Sequence, residues 1–105
     1  MKVSIIIPVY NEEKTILKII SKILKLKNIN KELIVVNDGS TDNTKKLLSK
    51  FSNKRIRIIN HSKNSGKGAA IRTAQKHVTG THVIIQDADL EYEPTDYKNL
   101  LKPFK

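Results

Sequence analysis

The chain of 105 residues has no cysteine and no tryptophan, and only three tyrosines, two phenylalanines, three prolines and four glycines. Without cysteine there is neither a disulfide framework nor a thiolate metal centre, which suits a reducing cytoplasm. With so few aromatics, and no recognition-helix signature among its lysines, the chain lacks the base-stacking equipment of a nucleic-acid binder. It has no apolar run long enough to cross a bilayer, and "MKVSIIIPVY" reaches Pro8 and Tyr10 too soon for the apolar core of a signal peptide. The expectation is a cytoplasmic protein, soluble or peripheral on the cytoplasmic face of a membrane.

Acids are scarce as well: ten Asp and Glu stand against twenty Lys and Arg, a formal net charge of +10. Between Lys14 and Lys76 the only carboxylates are Glu32, Asp38 and Asp42. Yet "VIIQDADLEYEP" places Asp87, Asp89, Glu91 and Glu93 at alternate positions straight after an apolar run. Like charges this close repel, so the cluster calls for a compensating partner or open water. The basic remainder reads as a solvated lysine-rich exterior or as a surface for phosphorylated ligands or anionic lipid.

What is present is an alternation of two periodicities, within a length and a 38% hydrophobic content that suit one compact domain. Val3 to Val9 is a short β-branched run of the kind that forms a buried strand. Ile16, Ile19, Ile20, Ile23 and Leu24 then recur at helical spacing, with Asn11 as a candidate cap and Glu12 and Glu13 in the first turn. "ELIVVN" predicts a second strand, followed by the capping residues of "DGSTDNT" and a helix carrying Leu47, Leu48 and Phe51. "RIRIIN" predicts a third strand, "KGAAIRTAQKHV" a third helix that Gly80 is placed to end, and "THVIIQ" a fourth strand. Pro94 opens a last short helix through Leu100 and Leu101. The fold class expected is α/β: a three-layer, Rossmann-like parallel sheet of four strands in the order 3-2-1-4, with helices on both faces.

In such sheets ligands bind beyond the carboxyl ends of the strands, so the informative residues are those just after each strand. In the order 3-2-1-4 the loops "PVYNEE", "NDGSTDNT" and "DADLEYE", after the first, second and fourth strands, share one edge. "PVYNEE" contains no glycine, which excludes the dinucleotide-binding G-x-G-x-x-G turn. "GKG" at Gly66 to Gly68 has His61 and Gly68 where a P-loop needs its first Gly and its Ser or Thr. Carboxylates can still hold a phosphate through a hard divalent cation, Mg²⁺ or Mn²⁺, which takes a few protein oxygens and fills its other positions with water and phosphate. Asp87 and Asp89, two apart on an extended segment, can point the same way, and Glu91 continues the spacing. The competing reading of "DADLE" is an exposed turn whose acids cap the helix at Pro94. His61, His77 and His82 are too scattered for a metal site and read as structural or exposed.

Taken together, "SIIIPVYNEE", "IVVNDGSTDNT", "NSGKGAAIR" and "DADLEY", four blocks in order over nearly the whole chain, resemble family 2 glycosyltransferases and the nucleotide-binding half of their GT-A fold. Within that family the resemblance is closest to enzymes of the dolichyl-phosphate mannose synthase type, which transfer a sugar to a polyprenyl phosphate. The resemblance implies a nucleotide-diphospho-sugar ligand of the GDP-mannose or UDP-glucose type. It implies that Pro8, Tyr10 and Glu12 contact the nucleoside and that Asp38, with the backbone of Val36, reads base or ribose. Asp87 and Ala88 would lie along the nucleotide, Lys67 would face phosphate, and Asp89 with Asp87 and Glu91 would ligate Mg²⁺ or Mn²⁺. The sequence departs from the close relatives at Glu91, where they often carry Gln.

The family domain continues beyond its D-x-D block, so residues 1–105 are expected to form its N-terminal part without the acceptor side. Two other classes compete. One is a non-catalytic nucleotide or nucleotide-sugar module, or an inactive fragment, that needs a partner chain. The other is a phosphotransfer domain, disfavoured because Asn60 stands where a receiver needs Asp and Glu91 where a dehalogenase has Thr or Val. A sheet ending at its fourth strand would leave an open edge, which a homodimer or a partner chain could cover.

Overall fold

The computed structural model describes residues 1–88. The helix expected at Pro94, like Asp89 and Glu91, lies outside the described residues. The elements are β1 (Lys2–Val9), α1 (Ile16–Leu24), β2 (Asn30–Asn37), α2 (Thr44–Leu48), β3 (Ile56–Asn60), α3 (Lys67–Gln75) and β4 (His82–Ile85). Every strand pairing is parallel, and the sheet order is β3-β2-β1-β4, as the sequence predicts.

Both faces of the sheet are covered, which is why its central strands are continuous apolar runs rather than alternating ones. On one face Val3, Ile5, Ile7 and Val9 of β1, with Leu33 and Val35 of β2, pack on Ile16, Ile19, Ile20 and Ile23 of α1 and Leu48 of α2. On the other, Ile6, Ile34 and Val36 meet Ala70 and Ala74, whose small side chains let the α3 backbone lie close to the sheet. Each isoleucine so buried contributes roughly 1.5–3 kcal/mol relative to exposure. β4 pairs with β1 on one side only among the described residues, and its Val83 and Ile85 remain 49% and 46% exposed.

Two local expectations are corrected. Asn11 does not cap α1, whose N-cap position is Thr15, and Glu12 and Glu13 precede the helix instead of filling its first turn. Asn11 adopts a left-handed conformation, φ 51°, and its Oδ1 accepts from the Thr41 and Asp42 amides at 2.7 and 3.2 Å, tying the first loop to the second. Gly80 likewise does not end α3, which stops at Gln75. Its role is close approach: a Cβ there would lie 2.6 Å from Ser4 Oγ and 2.7 Å from the Lys2 carbonyl oxygen.

That approach belongs to a polar knot at the amino ends of the strands, opposite the edge where ligands are expected. The Glu32 carboxylate accepts from the Ser4 hydroxyl at 2.5 Å, the Thr79 amide at 2.7 Å and the Thr79 hydroxyl at 2.8 Å, with the Lys2 ammonium 3.6 Å away. Burial alone would raise its pKa; the Ser4 and Thr79 hydrogen bonds and the Lys2 charge outweigh that and hold it at about 2. Because the folded value lies below the unfolded one, 4.5, the stability from this group is full above pH 4.5 and is lost as pH falls toward 2. In denaturant titrations across that window Glu32→Gln should show a shallower acid decline than the parent chain. Parallel declines would mean that the knot has no part in acid sensitivity.

Candidate functional site

The carboxyl ends of the strands open into a cavity of about 440 Å³. Pro8, Tyr10, Glu12, Asp38, Lys67, Asp87 and Ala88, all singled out in the sequence, line it together with Val9, Asn64, Gly66 and Ala70. Val36 does not line it; its side chain is fully buried under α3, two residues before Asp38. The parallel register explains the convergence, since Pro8 lies beside Val36 and Val9 beside Asn37, so the first two loops leave the sheet side by side.

From the third block the sequence reading took only Lys67 and left out Asn64 and Gly66. It put the edge between the loops after β1, β2 and β4, yet Asn64, Gly66 and Lys67 also line the cavity. The cause is Asp38, 4% exposed, whose Oδ1 accepts from the Ser65 amide at 2.9 Å and lies 2.8 Å from His61 Nδ1, while its Oδ2 accepts from the Gly66 amide at 2.8 Å. Burial pushes the Asp38 pKa up, but the His61 hydrogen bond and the two amides more than offset it, and the carboxyl is held below its usual range. Gly39, at φ 71°, completes the join, packed so closely on Lys63 and Asn64 that no side chain fits. The one sequence signal for this was the pairing of a loop aspartate with a downstream Ser-Gly, which any turn could carry.

The remaining loops are braced in the same way. Asp42 accepts from the Thr44 amide at 2.9 Å and the Glu13 amide at 3.3 Å, and Glu13 Oε2 accepts from the Asn43 amide at 3.2 Å. At the end of β4 the Thr15 hydroxyl donates to the Ala88 carbonyl at 2.5 Å, and the buried Gln86 amide side chain donates to the Asp87 carbonyl at 3.0 Å. The Asp87 carboxylate accepts from the Lys67 ammonium at 2.6 Å, both side chains reaching solvent. Thus one wall of the cavity is anionic, and a cation from α3 sits against it.

No three acidic, histidine or cysteine side chains gather into a metal site among the described residues. Of the expected ligands only Asp87 is described. Its hard oxygens suit Mg²⁺ or Mn²⁺ rather than a thiophilic metal.

The model of glycosyl transferase family 2 matches residues 4–105. A dolichyl-phosphate beta-glucosyltransferase of Trichomonas vaginalis, ALG5A, is 36% identical over 112 aligned positions, covering 97% of this chain and 35% of that protein. The crystal structure of S. aureus TarS 1–349 with UDP-GlcNAc superposes with a TM-score of 0.82 at 32% identity, covering 95% of this chain and 30% of that one. The Pyrobaculum calidifontis mannosyltransferase PcManGT, solved with GDP-Man and Mn²⁺, superposes at 0.73 and 30% identity, covering 83% and 27%. The chain spans 44%, 35% and 30% of the length of the first three curated relatives that it matches.

Proposed function

The chain belongs to glycosyl transferase family 2, and from that membership we propose that residues 1–105 are the donor-binding, N-terminal part of a glycosyltransferase domain. Its ligand is a nucleotide-diphospho-sugar, and the acceptor of the whole enzyme is a polyprenyl phosphate at the cytoplasmic membrane face. The observation that carries this is the convergence of all four sequence blocks on one cavity whose volume, about 440 Å³, falls in the range of small-molecule sites. Bound complexes with UDP-GlcNAc and with GDP-Man among similar structures support the ligand class, and dolichyl-phosphate relatives support the acceptor. No helix among the described residues is long and apolar enough to cross a membrane.

In this reading Pro8, Tyr10 and Glu12 form the nucleoside wall, with Tyr10 half exposed and offering its ring as a stacking surface. Asp38, ionised and locked in orientation, accepts a hydrogen bond from base or ribose beside the Val36 backbone. Asp87 and Ala88 run along the nucleotide. Lys67 now neutralises Asp87, and its ammonium lies within the cavity wall, where it can turn to a diphosphate oxygen. Asp89, Asp87 and Glu91 would hold Mg²⁺ or Mn²⁺, which when bound neutralises the diphosphate and its departing charge. A phosphate acceptor is already an anion, so the donor half needs no general base of its own.

Calorimetric titration with GDP-mannose and UDP-glucose, each with Mn²⁺ and with chelator, tests the reading. Saturable binding of at least one donor in Mn²⁺, weakened by chelator, is expected. Binding of neither donor would remove the donor-site assignment, and equal binding with chelator would remove the metal.

A further inference from the structure

His61 does not line the cavity, yet it makes two short side-chain contacts, one to a residue that does. It follows β3 directly, its amide donating to the Asn37 carbonyl at 2.9 Å, which sets it beside Asp38 at the end of β2. Its Nδ1 lies 2.8 Å from Asp38 Oδ1 and its Nε2 lies 2.8 Å from the Thr73 hydroxyl on α3, with the ring mostly buried. We propose that His61 is a positioning residue: clamped by Thr73, it holds the Asp38 carboxylate in the one orientation that keeps the third loop on the cavity and leaves Oδ2 able to take a ligand donor. The proposal builds on the donor-site reading above.

The chemistry of the three groups decides their roles. An ionised carboxylate only accepts, so Nδ1 carries the proton. In the neutral ring Nε2 then accepts, and the Thr73 hydroxyl donates to it. Asp38 Oδ1 is thereby taken up by the imidazole and the Ser65 amide, whereas Oδ2 has one protein donor, Gly66 N, and room for a second. Without the imidazole donor, Oδ1 would lose one of its two partners and the carboxylate could rotate off the Ser65 and Gly66 amides. The sequence hydroxyl, imidazole, carboxylate also activates nucleophiles in hydrolases. Here neither His61 nor Thr73 lines the cavity, so the relay orients a carboxylate and attacks nothing.

Two substitutions separate the ends of the clamp. His61→Asn places its amide nitrogen where Nδ1 was and keeps the donor to Asp38; His61→Gln reaches toward Thr73 and loses it. Hydrogen exchange at the Ser65 and Gly66 amides and donor affinity in Mn²⁺ are the readouts, with melting temperature recorded for both variants. Exchange protection and affinity should survive in His61→Asn and fall about tenfold or more in His61→Gln, the size expected for one charge-assisted hydrogen bond. Equal behaviour of the two variants would reduce His61 to packing. Nitrogen NMR of the unaltered chain in alkaline buffer gives a reading that needs no variant: a protonated Nδ1 and a bare Nε2 are expected, and the opposite tautomer overturns the proposal. If the unaltered chain binds no donor, the donor-site reading fails, while exchange and tautomer still decide the role of His61.

Discussion

Gly39→Ala is expected to lower the melting temperature by about 10 °C or more, on the scale by which each kcal/mol moves a small domain several degrees. Two costs combine. At φ 71° alanine occupies the left-handed region, a penalty of about 1–2 kcal/mol. Its Cβ would also overlap the Asn64 nitrogen and the Lys63 carbonyl carbon, backbone atoms that cannot swing aside like a side-chain tip. Overlap in a packed region adds roughly 1–3 kcal/mol. Relief requires the third loop to move away, which would pull the Ser65 and Gly66 amides from Asp38. The variant should therefore lose donor affinity along with stability. A melt within about 3 °C of the parent would show that the two loops do not press on each other as described.

Asp89→Ala is expected to raise the Kd for nucleotide-sugar in Mn²⁺ by about a hundredfold, roughly 2.8 kcal/mol. The reason lies in charge. The cavity wall already holds Asp87 beside Lys67, a pair close to neutral that gives a diphosphate no net attraction. In the proposed reading a divalent cation would supply it, and its hold would depend on more than one carboxylate. Glu91→Ala should cost less, because a water can take the place of one oxygen. Affinity unchanged in Asp89→Ala, with Mn²⁺ still required, would move the metal to other ligands and return the D-x-D cluster to an exposed turn.

Much of the fold was legible because its cause is local. The stretches Ile5–Ile7 and Leu33–Val36 are apolar at successive positions, and only a strand covered on both faces buries them that way. The isoleucines of α1 recur at helical spacing and are buried at those positions. The caps were misread for a different reason: Asn11 has a side chain suited to a helix end, but two amides of the second loop compete for it, and they arrive only when β1 and β2 pair. Gly80 was similarly placed by its distance along the chain, whereas its neighbours Ser4 and Lys2 come from the far end of it.

The sequence by itself determined the alternation of strand and helix, the parallel order with β1 and β2 at its centre, and the identity of the polar residues that follow each strand. These rest on side-chain periodicity and on turn chemistry, which neighbouring residues carry. Only the tertiary structure decided that Asn64 and Gly66 join Lys67 at the cavity, that His61 stands behind Asp38, and that Lys67 meets Asp87. Those contacts link residues 23 and 20 positions apart, and the loop bonds to Asp38 span 27 and 28. No local pattern encodes them, because which hydrogen-bond donor reaches a buried carboxylate depends on how parallel crossovers stack the ends of separate strands.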